Sequence, residues 1–209
     1  KVSIKDSAAN KSGVYNDGTT KGDAKNVGTG KSITFTGIAL DGDEAGNYSI
    51  DVSLSGNVGA ITKRQLTAAL NNDGTFTKTY DGTKTVSQAL ADHYTLSNVV
   101  DGEAKKVSIK DSAANKSGVY NDGAVAGDAK NAGTGKSITF TGIALDGDEA
   151  GNYSIDASLS GNVGTINKKA ITATLANDKT FTKTYDGTTT VVQALADHYS
   201  LNGIENIDS

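Results

Sequence analysis

The 209-residue chain contains no cysteine, proline, methionine or tryptophan. The absence of cysteine excludes disulfides, thiolate zinc sites and cysteine nucleophiles. Two histidines leave few residues for histidine-based metal binding or acid–base chemistry. Only 36% of the residues are hydrophobic and 6% are aromatic, so we expect a thin core. These shortages argue against an enzyme and against a bound cofactor.

Positive charge is also scarce, with 20 Lys and Arg against 24 Asp and Glu. Nucleic-acid backbones select for dense clusters of Lys and Arg, so we expect no nucleic-acid partner. No apolar run approaches the roughly 20 residues of a membrane-spanning helix, so we expect no membrane insertion. The first residues lack the apolar core of a signal peptide, and the chain is interpreted as an excerpt or a mature segment.

The main feature of the sequence is an internal repeat. Residues 1–97 recur at 106–202, at an offset of 105 (106 − 1), with 17 differences, and the copies diverge after Ser97 and Asn202. Tandem copies add length, spacing or valency to a protein. The leading interpretation is therefore a structural spacer, and the alternative is a repeated ligand-binding module.

Short stretches of alternating apolar and hydroxyl residues predict half-buried strands. They are residues 32–36, 48–54, 66–70 and 75–80. Turn-forming groups of Gly, Asn and Asp separate them, at 16–18, 41–43, 45–47, 55–57, 72–74 and 81–82,. Good helix formers at 86–94 predict a turn or two of helix. The fold class predicted is all-β, with tandem elongated β-sandwich-like units (immunoglobulin-like or a related mostly-β module) and at most a short helix.

Several motifs carry a resemblance to a known family. The segment 78–83 reads Lys-Thr-Tyr-Asp-Gly-Thr and recurs at 183–188. Further motifs follow in order, at 130–136, 140–142, 150–153 and 166–168. Together they resemble the YDG repeat, one of the mostly-β, glycine-rich repeats of large bacterial surface adhesins that are similar to filamentous haemagglutinin.

The resemblance implies a stalk that is secreted or displayed on the bacterial cell surface. It also implies domain boundaries, with 1–62 as the C-terminal part of one unit, 63–167 as a complete unit and 168–209 as the start of the next. Both terminal parts would then have unpaired strand edges, which invite pairing with another chain. Neighbouring repeats are the expected partners, with like repeats on other molecules, glycans or matrix as further ones.

The residues singled out by these motifs are expected to have structural roles. They are Tyr80, Asp81, Gly82, Gly46 and Asn47, with their counterparts Tyr185, Asp186, Gly187, Gly151 and Asn152. Tyrosines on the alternating strands are expected in the core with their hydroxyls at its edge, although Tyr and Asn on a β surface can also bind sugars.

Two further motifs resemble ligand-binding loops only in part. Acidic turns at Asp41 and Asp43, and at Asp146 and Asp148, offer hard oxygen ligands for calcium but lack the ligand pattern of an EF-hand,. Residues 28–32 end like a phosphate-binding loop, but a strand pattern follows where a helix is needed, so a hairpin turn is predicted.

Overall fold

The computed structural model describes residues 1–113, 118–123, 125–177, 179–196 and 198–208. Within these ranges the regular elements are strands and 3-10 helices, which confirms the all-β fold class. The 3-10 helices span Ala9–Lys11, Ala45–Asn47, Asp128–Lys130 and Ala150–Asn152. The strands are β1 (Ser3–Ile4), β2 (Val14–Tyr15), β3 (Gly28–Thr36), β4 (Leu40–Asp41), β5 (Ser53–Ile61), β6 (Arg64–Gln65), β7 (Thr67–Leu70), β8 (Thr77–Thr79), β9 (Thr85–Val86), β10 (Tyr94–Ser97), β11 (Ser108–Ile109), β12 (Gly118–Tyr120), β13 (Gly133–Thr141), β14 (Leu145–Asp146), β15 (Tyr153–Ser154), β16 (Ser158–Asn167), β17 (Thr172–Leu175) and β18 (Tyr199–Asn202).

The chain forms two compact units, each built from separate stretches of sequence. The first unit comprises Lys1–Thr67, Leu96–Lys110 and Ala144–Asp156. The second unit comprises Ala68–Thr95, Asp111–Ile143 and Ala157–Ser209.

The first unit contains an antiparallel sheet with the strand order β2-β3-β5. Smaller ladders join β1 to β4 and β11 to β14, and β6 runs parallel to β15. A small buried cluster of Leu66, Val107 and Tyr153 lies beside the parallel ladder.

The second unit contains a five-stranded sheet with the order β8-β16-β13-β12-β9. β8 runs parallel to β16, and the other neighbours are antiparallel. The rings of Phe76 and Phe140 lie 5.4 Å apart in the core of this sheet. The other core residues on the sheet or its flanking loops are Val86, Leu90, Tyr120, Ile138, Leu159 and Ile166. β17 pairs with β18 elsewhere in the unit.

The two repeat copies pair equivalent strands in the same register. In the first copy these are β2, β3 and β5, and in the second they are β12, β13 and β16. Phe35 lies opposite Leu54 in the first copy, as Phe140 lies opposite Leu159 in the second. All strands of the five-stranded sheet fall within residues 63–167. The domain frame of 1–62, 63–167 and 168–209 stays a prediction.

The helix predicted at residues 86–94 is wrong. Val86 ends β9, Ala91 has a φ of 39°, and the His93 N–H donates to the Leu90 carbonyl in a turn. Val86 and Leu90 are both buried in the core. A short segment gains little from isolated helix formation, so tertiary packing decides its conformation.

The strand predicted at residues 48–54 is wrong in part. Residues 48–52 are not in a strand, and β5 begins at Ser53. In the second copy the same alternation belongs to β15 and β16, which pair with different strands. The pattern therefore spans two strands rather than one.

Two predicted turns, at 28–32 and 55–57, are also wrong, because they lie inside β3 and β5. The register of these strands shifts between Thr29 and Lys31, where Gly30 has a φ of +64°. Glycine adopts this conformation without a steric penalty, so it provides the β-bulge rather than a turn.

Candidate functional site

The Tyr80-Asp81-Gly82 motif forms a tight turn after β8. One carboxylate oxygen of Asp81 accepts hydrogen bonds from the Thr83 N–H at 2.9 Å, the Thr83 hydroxyl at 2.9 Å and the Lys78 ammonium at 2.7 Å. Partial burial of the carboxyl opposes its ionisation, but these hydrogen bonds outweigh burial and lower the pKa of Asp81. Gly82 has a φ of +72°, which glycine accepts readily,.

The counterpart turn at Tyr185-Asp186-Gly187 has the same hydrogen bonds. Lys183 donates to Asp186 at 2.9 Å, and the Thr188 N–H and hydroxyl donate to it at 2.9 Å. The hydrogen bond from Lys183 is the main cause of the lowered pKa of Asp186. Tyr185 itself is 93% exposed. The turn is therefore held by local hydrogen bonds and does not depend on burial of its tyrosine side chain.

Tyr80 contacts a residue 128 positions further along the chain. Its hydroxyl donates to Asp208 at 2.5 Å, which raises the pKa of Tyr80. The ammonium of Lys130 lies 3.8 Å from the other carboxylate oxygen of Asp208. A methyl group added at Gly82 would lie 2.2 Å from the Ile207 side chain. Glycine therefore suits the turn and also lets the Ile207 side chain approach closely. A cleft of about 410 Å³ adjoins Tyr80 and Asp208.

Asn152 makes the corresponding link between the first and second copies. Its side-chain oxygen accepts the Val27 N–H at 2.8 Å, and its amide group donates to Asn26 at 3.2 Å. The same amide donates to Glu149 at 2.7 Å, as Asn47 donates to Glu44 at 2.6 Å in the first copy. Gly46 and Gly151 lie in the matching 3-10 helices, where an added methyl group would meet open space.

An ion-pair cluster accompanies the Asn152 link. Lys25 lies 2.8 Å from Glu149 and 3.2 Å from Glu103, whose carboxylates are both mostly buried. The hydrogen bond from Lys25 is the main cause of the lowered pKa of Glu149. The hydroxyl of Tyr153 donates to Glu103 at 2.6 Å and is the main cause of the lowered pKa of that carboxyl. The cluster therefore places two ionised carboxylates against one lysine.

The two links share an equivalent lysine–acid pair. Lys25 and Lys130 are equivalent at the 105-residue offset, and so are Glu103 and Asp208. In both links a lysine lies near an acid 78 positions further along the chain, Lys25 near Glu103 and Lys130 near Asp208. Sequence reasoning missed the lysine and the acid. The available signal was that position 103/208 stays acidic where the copies otherwise diverge.

The four aspartates predicted as calcium candidates do not form a ligand cluster. Asp41 and Asp146 each accept the N–H of the following glycine at 2.9 Å, and Asp43 and Asp148 are exposed. Among the described residues no three acidic or histidine side chains form a group that could hold a metal ion. Calcium binding stays a prediction.

His93 lies beside Asp73 and Thr75, which suggests a catalytic triad at first sight. Both neighbours contact the same ring nitrogen, Nδ1, at 2.7 Å and 3.1 Å. A triad needs the carboxylate and the nucleophile on opposite ring nitrogens. The arrangement therefore stabilises a loop and lacks the geometry of a proton relay.

Comparison with known proteins supports the resemblance in sequence. The model of the YDG domain matches residues 3–56 and 62–161. No curated protein and no solved structure matches the chain. Over the described part of the chain, no helix is both long and apolar enough to span a membrane.

Proposed function

Because the chain belongs to the YDG domain family, we propose that it provides stalk or spacer repeats for a secreted bacterial adhesin or biofilm-matrix protein. The repeats project a distal binding region from the cell surface and support cohesion between cells or with the matrix. The role is mechanical and not catalytic, since backbone ladders resist extension of each copy.

One observation supports this proposal above the others. The motif residues hold turns and join one copy to the next. Tyr80 reaches Asp208, and Asn152 reaches Val27. The motif residues therefore bind other parts of the same chain, and such contacts are suited to transmitting force along it.

The test is a replacement within the parent protein in the bacterium that produces it. Residues 63–167 are deleted, or are exchanged for an unrelated β-domain array of equal length. A spacer predicts that adhesion falls on deletion and returns with the unrelated array, with equal surface labelling by antibody in all strains. If adhesion stays lost with the unrelated array, the copies are binding modules for glycan or protein that act through avidity.

A further inference from the structure

The dipeptide Asp-Gly occurs eight times in the chain, at 17–18, 41–42, 73–74, 81–82, 101–102, 122–123, 146–147 and 186–187. In such a pair the backbone nitrogen of the glycine can attack the side-chain carboxyl of the aspartate, because glycine has no side chain to obstruct the approach. The product is a five-membered cyclic imide, the succinimide. In a folded protein the reaction depends on where the carboxyl and the glycine N–H are directed.

Two of these pairs direct the glycine N–H at the aspartate's own carboxylate. The Gly42 N–H donates to Asp41 at 2.9 Å, and the Gly147 N–H donates to Asp146 at 2.9 Å. The nucleophile in ring closure is the deprotonated amide nitrogen, whose lone pair lies along the former N–H bond. In both pairs that bond already points at the carboxyl group. Such positioning lowers the entropy cost of ring closure.

The same arrangement occurs at equivalent places in the two repeat copies. Asp41 ends β4, and Asp146 ends β14. Gly42 has a φ of 109° and Gly147 has a φ of 107°, so both pairs form the same turn. All four residues are exposed to solvent. Water can therefore reach an imide formed at either turn and hydrolyse it.

Other Asp-Gly pairs direct their carboxylates elsewhere. The Asp81 carboxylate accepts hydrogen bonds from the Lys78 ammonium and the Thr83 N–H, and Asp186 has the equivalent bonds. Ring closure releases water from the neutral carboxyl, and the lowered pKa of each of these two carboxyls opposes that form. The chain therefore contains its own comparison between Asp-Gly pairs of different geometry.

We propose that Asp41 and Asp146 are sites of spontaneous aspartate isomerisation in the folded protein. The glycine nitrogen forms a bond to Cγ of the aspartate, and the bond from Cγ to the carboxyl hydroxyl breaks. The hydroxyl takes up the proton of the glycine nitrogen and leaves as water. A water molecule then opens the imide. Attack at the side-chain carbonyl restores aspartate, whereas attack at the backbone carbonyl gives isoaspartate, in which the backbone runs through Cβ and Cγ.

The proposal rests on the geometry of the two turns and does not depend on the stalk role. The reaction releases one water molecule and takes one up, so it needs no cofactor and no second reactant. Each of the two repeat copies provides one site.

Isoaspartate at Asp146 adds one atom to the backbone beside a close contact. A methyl group added at Gly147 would overlap the Lys106 carbonyl oxygen, so the two backbone segments already touch. The Glu149 N–H donates to the same carbonyl at 3.1 Å, and Lys25 lies 2.8 Å from the Glu149 carboxylate. The longer backbone displaces Gly147 from Lys106, so we expect the modification to weaken the contact between Glu149 and Lys25.

The main experiment compares the folded chain with the chain in denaturant, both incubated in mildly acidic buffer made with heavy-oxygen water. Peptides are then prepared in ordinary water, and electron-transfer fragmentation identifies isoaspartate at each Asp-Gly pair. Each passage through the imide incorporates heavy oxygen, which separates this reaction from isomerisation during digestion. In denaturant all pairs should react at similar rates. In the folded chain we expect about tenfold more isoaspartate at Asp41 and Asp146 than at Asp81 and Asp186.

Asp146→Glu is the matched variant, because it keeps the charge but requires a six-membered ring, which closes more slowly. It should abolish isomerisation at position 146 and leave Asp41 unchanged. Equal isomerisation of Asp41 and Asp81 in the folded chain would overturn the proposal. The same ratio between these two sites in the folded chain and in denaturant would overturn it as well.

Hydrogen exchange tests the structural consequence. Chains with isoaspartate at position 146 are separated from unmodified chains by hydrophobic-interaction chromatography. The Glu149 amide should exchange several-fold faster in the modified chains, because its acceptor, the Lys106 carbonyl, is displaced. Chains modified at position 41 alone are the control. Equal exchange of this amide in both modified forms would contradict the expected displacement.

Discussion

Residues 1–62 and 106–167 have nearly the same sequence but different burial. Both form two long strands and one short strand, paired in one register. Tyr120 and Phe140 are fully buried, whereas Tyr15 is partly exposed and Phe35 only half-buried. The difference comes from residues 68–95, which add two edge strands to one sheet only.

This comparison distinguishes two contributions to the sheet. Strand pairing depends on residues close in sequence, and burial of the core depends on residues further away. The strands and their bulge form from residues within about 50 positions of each other, and they are the same in both copies. The core needs Phe76, Val86 and Leu90, which precede the three strands in the chain. Strand pairing is therefore a property of each copy, and a buried core is a property of the completed sheet.

The largest expected effect follows from removing an anchor from the complete sheet. Phe76→Ala should lower the free energy of unfolding of the second unit by about 3–5 kcal/mol, because it empties a packed site beside Phe140,. Chemical denaturation, with hydrogen exchange of β13 and β16, measures the loss.

The matched variant is Phe181→Ala, at the equivalent position, where the flanking residues 182–184 are not in a strand and the Phe181 side chain is only partly buried. It should cost less than about 1 kcal/mol. Equal costs for the two variants would show that burial does not distinguish the two copies.

A smaller effect is expected from the tyrosine hydroxyls. Tyr120→Phe removes hydrogen bonds to the carbonyls of Phe76 and Thr165 inside the core, which should cost about 1–2 kcal/mol,. The same denaturation experiment measures this cost.

Tyr15→Phe is the control, because its hydroxyl contacts only the Ala60 carbonyl in an exposed position. Water replaces that bond, so we expect a cost of about 0.5 kcal/mol or less. A larger cost for Tyr15→Phe than for Tyr120→Phe would contradict the comparison.

The smallest effect is the pH dependence of stability that comes from the Asp73–His93 pair. The hydrogen bond from His93 is the main reason that the pKa of Asp73 falls from 3.8 to about 2. A carboxyl with a lowered folded-state pKa contributes stability above its unfolded pKa, and this contribution is lost as pH falls through the folded value. Denaturation midpoints should therefore show this loss between about pH 4 and pH 2.

Asp73→Asn is the control for the titration, because it removes the carboxyl and should flatten the change over this interval. Exposure of the pair keeps the effect small,. An unchanged pH profile in Asp73→Asn would assign the loss to other carboxyls.

Much of the fold follows from the sequence pattern. Alternating residues predicted β3 and β8, and the Gly, Asn and Asp groups predicted the turns at 72–74 and 81–82. The pattern failed at Ser55-Gly56-Asn57, where turn-forming residues continue a strand. Further along the same strand, a glycine does have a packing role, since a methyl group at Gly59 would lie 2.6 Å from the Tyr15 ring.

The site was predictable only in part. The Tyr-Asp-Gly motif marked a turn, and its local hydrogen bonds explain why the sequence was sufficient. The link from Tyr80 to Asp208 spans 128 positions, and the link from Val27 to Asn152 spans 125. Contacts at such separations depend on how the strands pair, which periodicity in a single sequence does not determine.

The lysine–acid pair also bears on how such a chain can change in length. Lys25 pairs with Glu103 and Lys130 with Asp208, at the same separation in the sequence. A recombination event that inserts or removes one 105-residue period, wherever its breakpoints fall, keeps a lysine and an acid at this separation. The number of copies is therefore free to vary during evolution without the invention of a new contact.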